Sequence, residues 1–561
     1  SGGHQDVRGG GTSIITSINS GGSQSIFGDG VATSTTINSG GRQNIFGTAT
    51  DTTINSGGVQ AVSSGGSATS TTINSGGVQY VSNGGSASDT IINSSGAQSV
   101  ASGGTATDTT INNGGWQYIS GGSATDTTIN SGGVQNVSGG TATTTTISGG
   151  SQYLYGGSAT DTIISGGSQT VSGGSTATST IIYSNGSQRI YSGGSATSTT
   201  INNEGWQVVN SGGTAAETTI NSGGEQLVSS GGTATDTTIN IAGNQFVSSG
   251  GTATGTIISG TFNNGYMGGF QTVLSGGTVI STTIDGGYQR VSSGGTATNT
   301  TMKSGHQQIF EGGSATSTTI SGGSQNVYSG GTVIDTTIND GGLQFVYGTT
   351  TDTTIKGGRS WLYTGALADG KTQINTGGEL VMDAGSVATD VNITGGTLSV
   401  NFIDSLTSGY DPAQIDKLTM DGGNVSFMGN SGDGFAKLNI TELSGSGNFQ
   451  FNTSLADRNA NFVTIEQGTG NFGIGVTDSG KEITDHTDLT VNLIHDQGGD
   501  IEFEMVTASG RSTRAIDGGT YMYTLFSQQG KDDLNDGNVW YLGALTDEPG
   551  AVSYTHLRAH E

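Results

Sequence analysis

At 561 residues, with 104 glycines, 2 prolines and only 11% charged residues, the chain is too long for one ordinary core, and its glycines suit an ordered fold only if they fall at fixed places. A net charge of −27 argues against nucleic acid or anionic lipid as a partner, because phosphate binding needs clustered Lys and Arg. No run of about 18 apolar residues is present to cross a membrane as a helix, and the absence of Cys would spare an exported protein premature disulfides but means little for a cytosolic one.

The chain opens in mid-pattern at Ser1-Gly2-Gly3-His4-Gln5, without an initiator Met or a signal peptide, so a fragment or processed product is expected. From there a beat is kept by Gln24, Gln43, Gln60, Gln79 and their successors to Gln245, then from Gln271 to Gln344. Steps are 17 to 19 residues, apart from the longer one between Gln245 and Gln271. A fixed period near 20 residues is the signature of a solenoid. Residues 56–74, SGGVQAVSSGGSATSTTIN, give the unit.

Comparing copies shows which positions are constrained. In GGxQxV the neighbours of Gln vary (Val59 and Ala61, Val78 and Tyr80, Trp116 and Tyr118), while Gln and the aliphatic residue two places on persist. Strand alternation puts those two on one face, predicted to be the inside. A second strand, residues 69–73, turns Thr71 and Ile73 inward, while position 70 drifts among polar residues and Gly. Ala68 suits a tight corner, and the paired glycines supply turn geometry. Two or three short strands per 19 residues make one coil of a parallel β-helix. An interior amide without partners costs about 1 to 3 kcal/mol. Stacking coils about 4.8 Å apart lets each Gln bond the ones above and below, so the Gln column is predicted to be an amide ladder. The extra residues around 261–270 are expected to bulge as a loop, a candidate bend or contact point.

Beyond Gln344 the marker changes. GGRSWL, GGELVM and GGTLSV place Ser360, Leu380 and Leu398 where Gln stood, so the interior is expected to become apolar and this end to be the more stable. From about residue 401 the period loosens into longer alternating segments. The aromatic strands GGTYMYTLF (518–526) and NVWYLGAL (538–545) suit a cap over the last coil. Four parts are expected: a repeat β-helix over 1–400, a C-terminal β-helix and cap over 401–545, the start of a linker at 546–551, and a tail, 552–561, that reads as a sequencing-adapter artefact.

Motifs with chemistry are few. Gly468 to Gly473 matches GxGxxG but lacks the following helix of a dinucleotide site, so a Gly-rich turn is the expectation. His4, His306, His486 and His495 are isolated and read as solvated. Asp51, Asp89, Asp108, Asp126, Asp161, Asp236, Asp335 and Asp352 recur at one outward position without the GGxGxD spacing of calcium rolls, and are expected to keep the surface soluble by repulsion. Short corners leave no cleft, so no catalytic, cofactor-binding or metal-ligating residue is assigned, and no cofactor is expected.

The SGGxQxVxSGGxATxTTIN unit over residues 1–345, and IDKLTMDGGNVSF (415–427) followed by GGTYMYTLF and NVWYLGAL, resemble the self-associating autotransporter adhesins of Gram-negative bacteria, of the AIDA (adhesin involved in diffuse adherence) type. The later segments are similar to the pertactin-like autochaperone. The resemblance implies an all-β, right-handed parallel β-helical passenger, exported through the periplasm by an outer-membrane translocator barrel of the same polypeptide and displayed on the cell surface or released. It implies aggregation, biofilm formation and adhesion to host cells or abiotic surfaces, with like molecules on neighbouring cells as partners. It also implies a heptosyltransferase acting on repeat Ser and Thr, and a C-terminal end that emerges and folds first. A passive stalk and a polysaccharide-acting β-helix enzyme are the alternatives.

Overall fold

Alternating inward and outward side chains, interrupted every few residues by Gly or Ser, favour short strands with sharp corners over helices. The computed structural model describes residues 2–260, 268–403, 411–428 and 434–545, in strands and turns with one 3-10 segment, Lys531–Asp533. The insertion at 261–267, the linker start at 546–551 and the tail at 552–561 lie outside the described residues. The chain divides into two compact units, Ser1–Thr300 and Thr301–Glu561.

In the first unit one coil is built from the strands Val59–Val62, Ser67–Thr69 and Thr72–Ile73. The next coil stacks on it in parallel and in register, with Gln79 opposite Gln60, Val81 opposite Val62, Ala87 opposite Ala68 and Ile92 opposite Ile73. This is the parallel β-helix that the period predicts. Gln60, Val62, Ala68, Thr71 and Ile73 are at most 1% exposed. Two details differ from the sequence reading. Ala68 lies in the middle of a strand, pointing inward beside the Val and Ile columns, so its size fits the narrow interior there and not a corner. The stretch 69–73 is also not one strand: Ser70, with φ of 56°, turns the chain between Ser67–Thr69 and Thr72–Ile73.

The amide ladder is present and is fully bonded at Gln79, whereas the buried hydroxyl of Thr127 has no hydrogen-bond partner. Gln79 Nε2 donates to Gln60 Oε1 at 2.7 Å and to Thr71 Oγ1 at 3.3 Å. Its Oε1 accepts from Gln98 Nε2 at 2.8 Å and from Thr90 Oγ1 at 3.5 Å. Two donors and two acceptors are thereby satisfied without water. The buried Thr column is thus part of the ladder. From Gln24 to Gln289 each Gln donates to the Gln of the coil before, and the row continues past the long step, where Gln271 Nε2 reaches Gln245 Oε1 at 2.8 Å.

In the second unit Gln325 donates to Gln307 and Gln344 to Gln325 at 2.7 and 2.8 Å. Ser360 Oγ then donates to Gln344 Oε1 at 2.7 Å and ends the row, since its hydroxyl supplies the last donor. Above it Leu380 and Leu398 stack in register and are at most 1% exposed, as expected of an apolar column. Longer strands follow, Ala413–Met428, Lys437–Ser454 and Phe462–Asp478, still parallel. The unit closes with an antiparallel hairpin, Met522–Gln529 and Asn538–Ala544, whose second strand also pairs antiparallel with Thr490–Asp496. Phe449, Phe472, Phe503 and Trp540 cluster edge-on beneath it, so aromatic packing covers an otherwise open coil.

Asp383 is buried in this unit and accepts from Trp361 Nε1 at 2.8 Å and Asn401 Nδ2 at 2.9 Å. Burial raises its carboxyl above the ordinary value, which those bonds only partly offset. The fold therefore favours the protonated acid: its stabilising contribution is whole below the unfolded value and is lost as pH rises through the raised one. Asp383→Asn keeps an acceptor without the charge, so its urea midpoint should exceed the wild-type midpoint by more at pH 7 than at pH 4. Equal gaps at the two pH values would show that desolvation does not govern Asp383.

Candidate functional site

With the inside of each coil closed by Gln, Thr and aliphatic side chains, only outward residues and corners can meet a partner. Three repeated features are built there, each by one step of the coil. Residues flanking Gln form a sheet face. The residue after the Ala strand forms one corner column. The Asn after the inward Ile forms another.

The first corner holds the Asp positions. Asp89, Asp108 and Asp126 occupy it on successive coils with φ of 53°, 53° and 54°, and Asp51, Asp161, Asp236, Asp335 and Asp352 occupy its equivalents. That left-handed conformation is tolerated best by Gly, Asn and Asp, which gives a backbone reason for the drift among small polar residues at this site. The acids are exposed. Asp335 accepts from Ser317 Oγ at 3.0 Å, and Asp352 from the Lys371 amide at 2.9 Å.

The second corner carries an amide row that the sequence analysis does not anticipate. Asn38, Asn55, Asn74, Asn93, Asn112 and Asn130 each donate Nδ2 to Oδ1 of the Asn one coil earlier, at 2.9 to 3.1 Å. Its signal was present in the sequence, since Asn recurs in register with Gln.

On the sheet face the flanking positions vary most and are richest in rings: Tyr80, Trp116, Tyr118 and Tyr153 are 39 to 47% exposed. Two guanidinium groups lie over rings of the same face, Arg189 at 4.8 Å from Trp206 and Arg290 at 5.0 Å from Phe270.

The histidines stand apart. His4 meets Ser23 and Asp6, His306 meets Ser324, His486 meets Tyr521, and His495 meets the Asp536 carbonyl. His495 is buried, unlike the solvated reading, and burial lowers the His306 pKa. Gly468 to Gly473 fall inside the strand Phe462–Asp478, where Gly470, at φ of 119°, bends the strand over Gly445. A concavity lined by Ser222, Asn240, Ile241, Ser259, Gly260 and Asp285 offers one carboxylate. Among the described residues, His, Asp and Glu do not gather in threes in a metal-binding arrangement.

Comparison with known proteins gives two family matches in the order expected along the chain. The family described as "Adhesin of bacterial autotransporter system, probable stalk" matches residues 73–115, 181–224 and 211–261, and the pertactin family matches 415–544. A curated relative, "Probable autotransporter YpjA" of Escherichia coli (strain K12), is 38% identical over 91 residues, which is 16% of this chain and 6% of that protein. Among solved structures, the TibC-catalysed hyper-glycosylated TibA55-350 fragment is 37% identical with a TM-score of 0.33. That alignment covers 60% of this chain and 97% of the fragment. The Haemophilus influenzae Hap adhesin is 12% identical with a TM-score of 0.30, covering 95% of this chain and 64% of that one.

Proposed function

The chain belongs to the AIDA-type autotransporter passengers, and we propose that it mediates self-association of bacteria and adhesion to host cells or surfaces through outward faces repeated coil after coil. The observation that carries this reading is the regular spacing of those faces. Corner and sheet positions recur in register over many coils, so contacts too weak to matter singly add along the stack. Such a chain needs no cleft, and we read it as non-enzymatic.

The same proposal places it on the surface of a Gram-negative cell, with like molecules on neighbouring cells as partners and a translocator barrel as its route out. Modification by a glycosyltransferase also belongs to the proposal. Ser56, Ser64, Ser70 and Ser75 put four exposed hydroxyls on little more than one coil, and the TibA fragment, 37% identical, is hyper-glycosylated by TibC. A stalk is the second reading, favoured by the match of the repeats to a probable-stalk family.

Display on cells tests it. Cells carrying residues 1–545 on a translocator should settle faster than cells carrying 401–545, and replacement of the outward residues flanking the Gln row should slow them. Equal settling with retained binding to host cells would leave adhesion alone, and loss of both would leave the stalk.

A further inference from the structure

Along the sheet face of the first unit, from Gln60 to Gln169, the residue after each Gln alternates in size from coil to coil. In-register pairing sets Ala61 beside Tyr80, Tyr80 beside Ser99, Ser99 beside Tyr118, Tyr118 beside Asn136, Asn136 beside Tyr153 and Tyr153 beside Thr170. With coils about 4.8 Å apart, the three tyrosines stand about 10 Å apart with a small residue in each interval. They are 47%, 42% and 44% exposed.

In other columns of the unit, rings do meet from coil to coil. Where aromatics fall on consecutive coils they stack face to face: Phe27 and Phe46 at 5.2 Å and 14°, Phe270 and Tyr288 at 5.3 Å and 9°. Between Tyr80 and Tyr118, and between Tyr118 and Tyr153, that middle ring is missing. Each interval is therefore a slot one aromatic layer thick, open to the outside and floored by Ser99 or Asn136. Trp116 lies parallel to Tyr118 at 5.9 Å on the same strand.

We propose that a second copy of this chain fills these slots, its tyrosines interleaving with those of the first in an antiparallel, two-fold pairing. This rests on the self-association reading and names the face responsible. Reversing the column and shifting it by one coil sets Tyr118 of each copy over Ser99 of the other, and Tyr80 over Asn136. The same patch serves both sides, as a two-fold contact requires. Another copy reproduces the two-coil spacing without adjustment.

Charge points the same way. Copies of a chain at −27 repel, yet none of the outward residues flanking the seven glutamines from Gln60 to Gln169 carries a charge. The acids sit on the corner beyond the Ala strand. The sheet face is thus where two such chains can approach. Burying the exposed parts of these rings and the floors between them removes roughly 1,000 Å² in total, the lower edge of a specific interface. That suits a contact used many times between surfaces.

Sedimentation velocity of the full chain over a concentration series tests this. Removing the rings (Tyr80→Ser, Tyr118→Ser and Tyr153→Ser together) and filling the slots (Ser99→Tyr with Asn136→Tyr) should each weaken association at least about tenfold. Both should leave the circular dichroism melting curve in place, because these side chains point outward. The corner pair Asp108→Asn with Asp126→Asn should not weaken association. A wild-type chain that stays monomeric throughout would sink both this inference and the self-association reading. Wild-type association that either variant set leaves unchanged would overturn the inference alone. Quenching of tyrosine fluorescence in a monomeric chain by a soluble polysaccharide would assign the slots to a glycan and overturn it as well.

Discussion

Gly66→Ala is expected to destabilise the first unit by about 3 kcal/mol or more, while Gly65→Ala, one residue earlier, costs about 1 kcal/mol. A Cβ on Gly66 would stand 2.1 Å from the carbonyl oxygen of Ile45 in the coil beneath, a clash with backbone that only separation of the coils relieves. The same oxygen accepts the Ser63 amide at 3.1 Å, so moving it also breaks a coil-to-coil bond. Gly65 has φ of 82° and nothing within 4 Å of its Cβ position, which leaves only the left-handed backbone penalty. The neighbouring Ser64 already adopts φ of 53°, so a side chain there is tolerable. Urea unfolding followed by far-UV circular dichroism reads the difference. Equal losses at the two positions would mean that the second glycine of the pair serves the turn and not the stack.

Gln135→Glu should be the most damaging single change in the amide row, and Gln135→Leu clearly milder. Gln135 is fully buried, gives its amide to Gln117 Oε1 at 2.7 Å and takes the amide of Gln152 at 2.7 Å. Leu deletes both bonds and leaves one acceptor and one donor without a partner, at about 1 to 3 kcal/mol each, offset in part by apolar burial. Glu keeps the acceptor for Gln152 but sets a carboxylate oxygen against Gln117 Oε1 in a dry interior. Its folded-state pKa would be raised, so the fold tolerates it below about pH 4 and loses stability as pH rises through the raised value. The Glu variant should therefore recover towards wild type on acidification, while the Leu variant shows no such recovery. A Glu variant as stable as wild type near pH 7 would contradict the row of bonded amides.

Much of this was legible because duplication within one chain performs its own comparison. Positions that stayed fixed while their neighbours drifted, Gln60 and Val62 against Val59 and Ala61, are the ones that point inward. The change from Gln344 through Ser360 to Leu380 foretold where the polar core gives way to an apolar one. What escaped the sequence has physical causes. The row through Asn74 escaped notice because its bond runs to Asn55, a whole coil away. Ser70 and its Asp equivalents looked merely outward because a side-chain pattern does not report φ. Gly66 looked like a turn glycine because the atom that forbids a side chain there belongs to Ile45, 21 residues earlier. The alternation of Tyr80, Ser99 and Tyr118 was visible as variation, but only the register of the coils made it a row of slots.

The central claim is that the coils are held by one continuous row of bonded amides within each unit, leaving the outward faces free to vary and to bind. Side-chain amide exchange in a chain labelled with ¹⁵N only at glutamine tests it directly. After transfer to D2O, the side-chain signals of the buried row, Gln79 and Gln135 among them, should persist for hours. Those of the exposed Gln528 and Gln529 should vanish within the dead time. Loss of the buried-row signals at the same rate as the exposed ones would contradict the account.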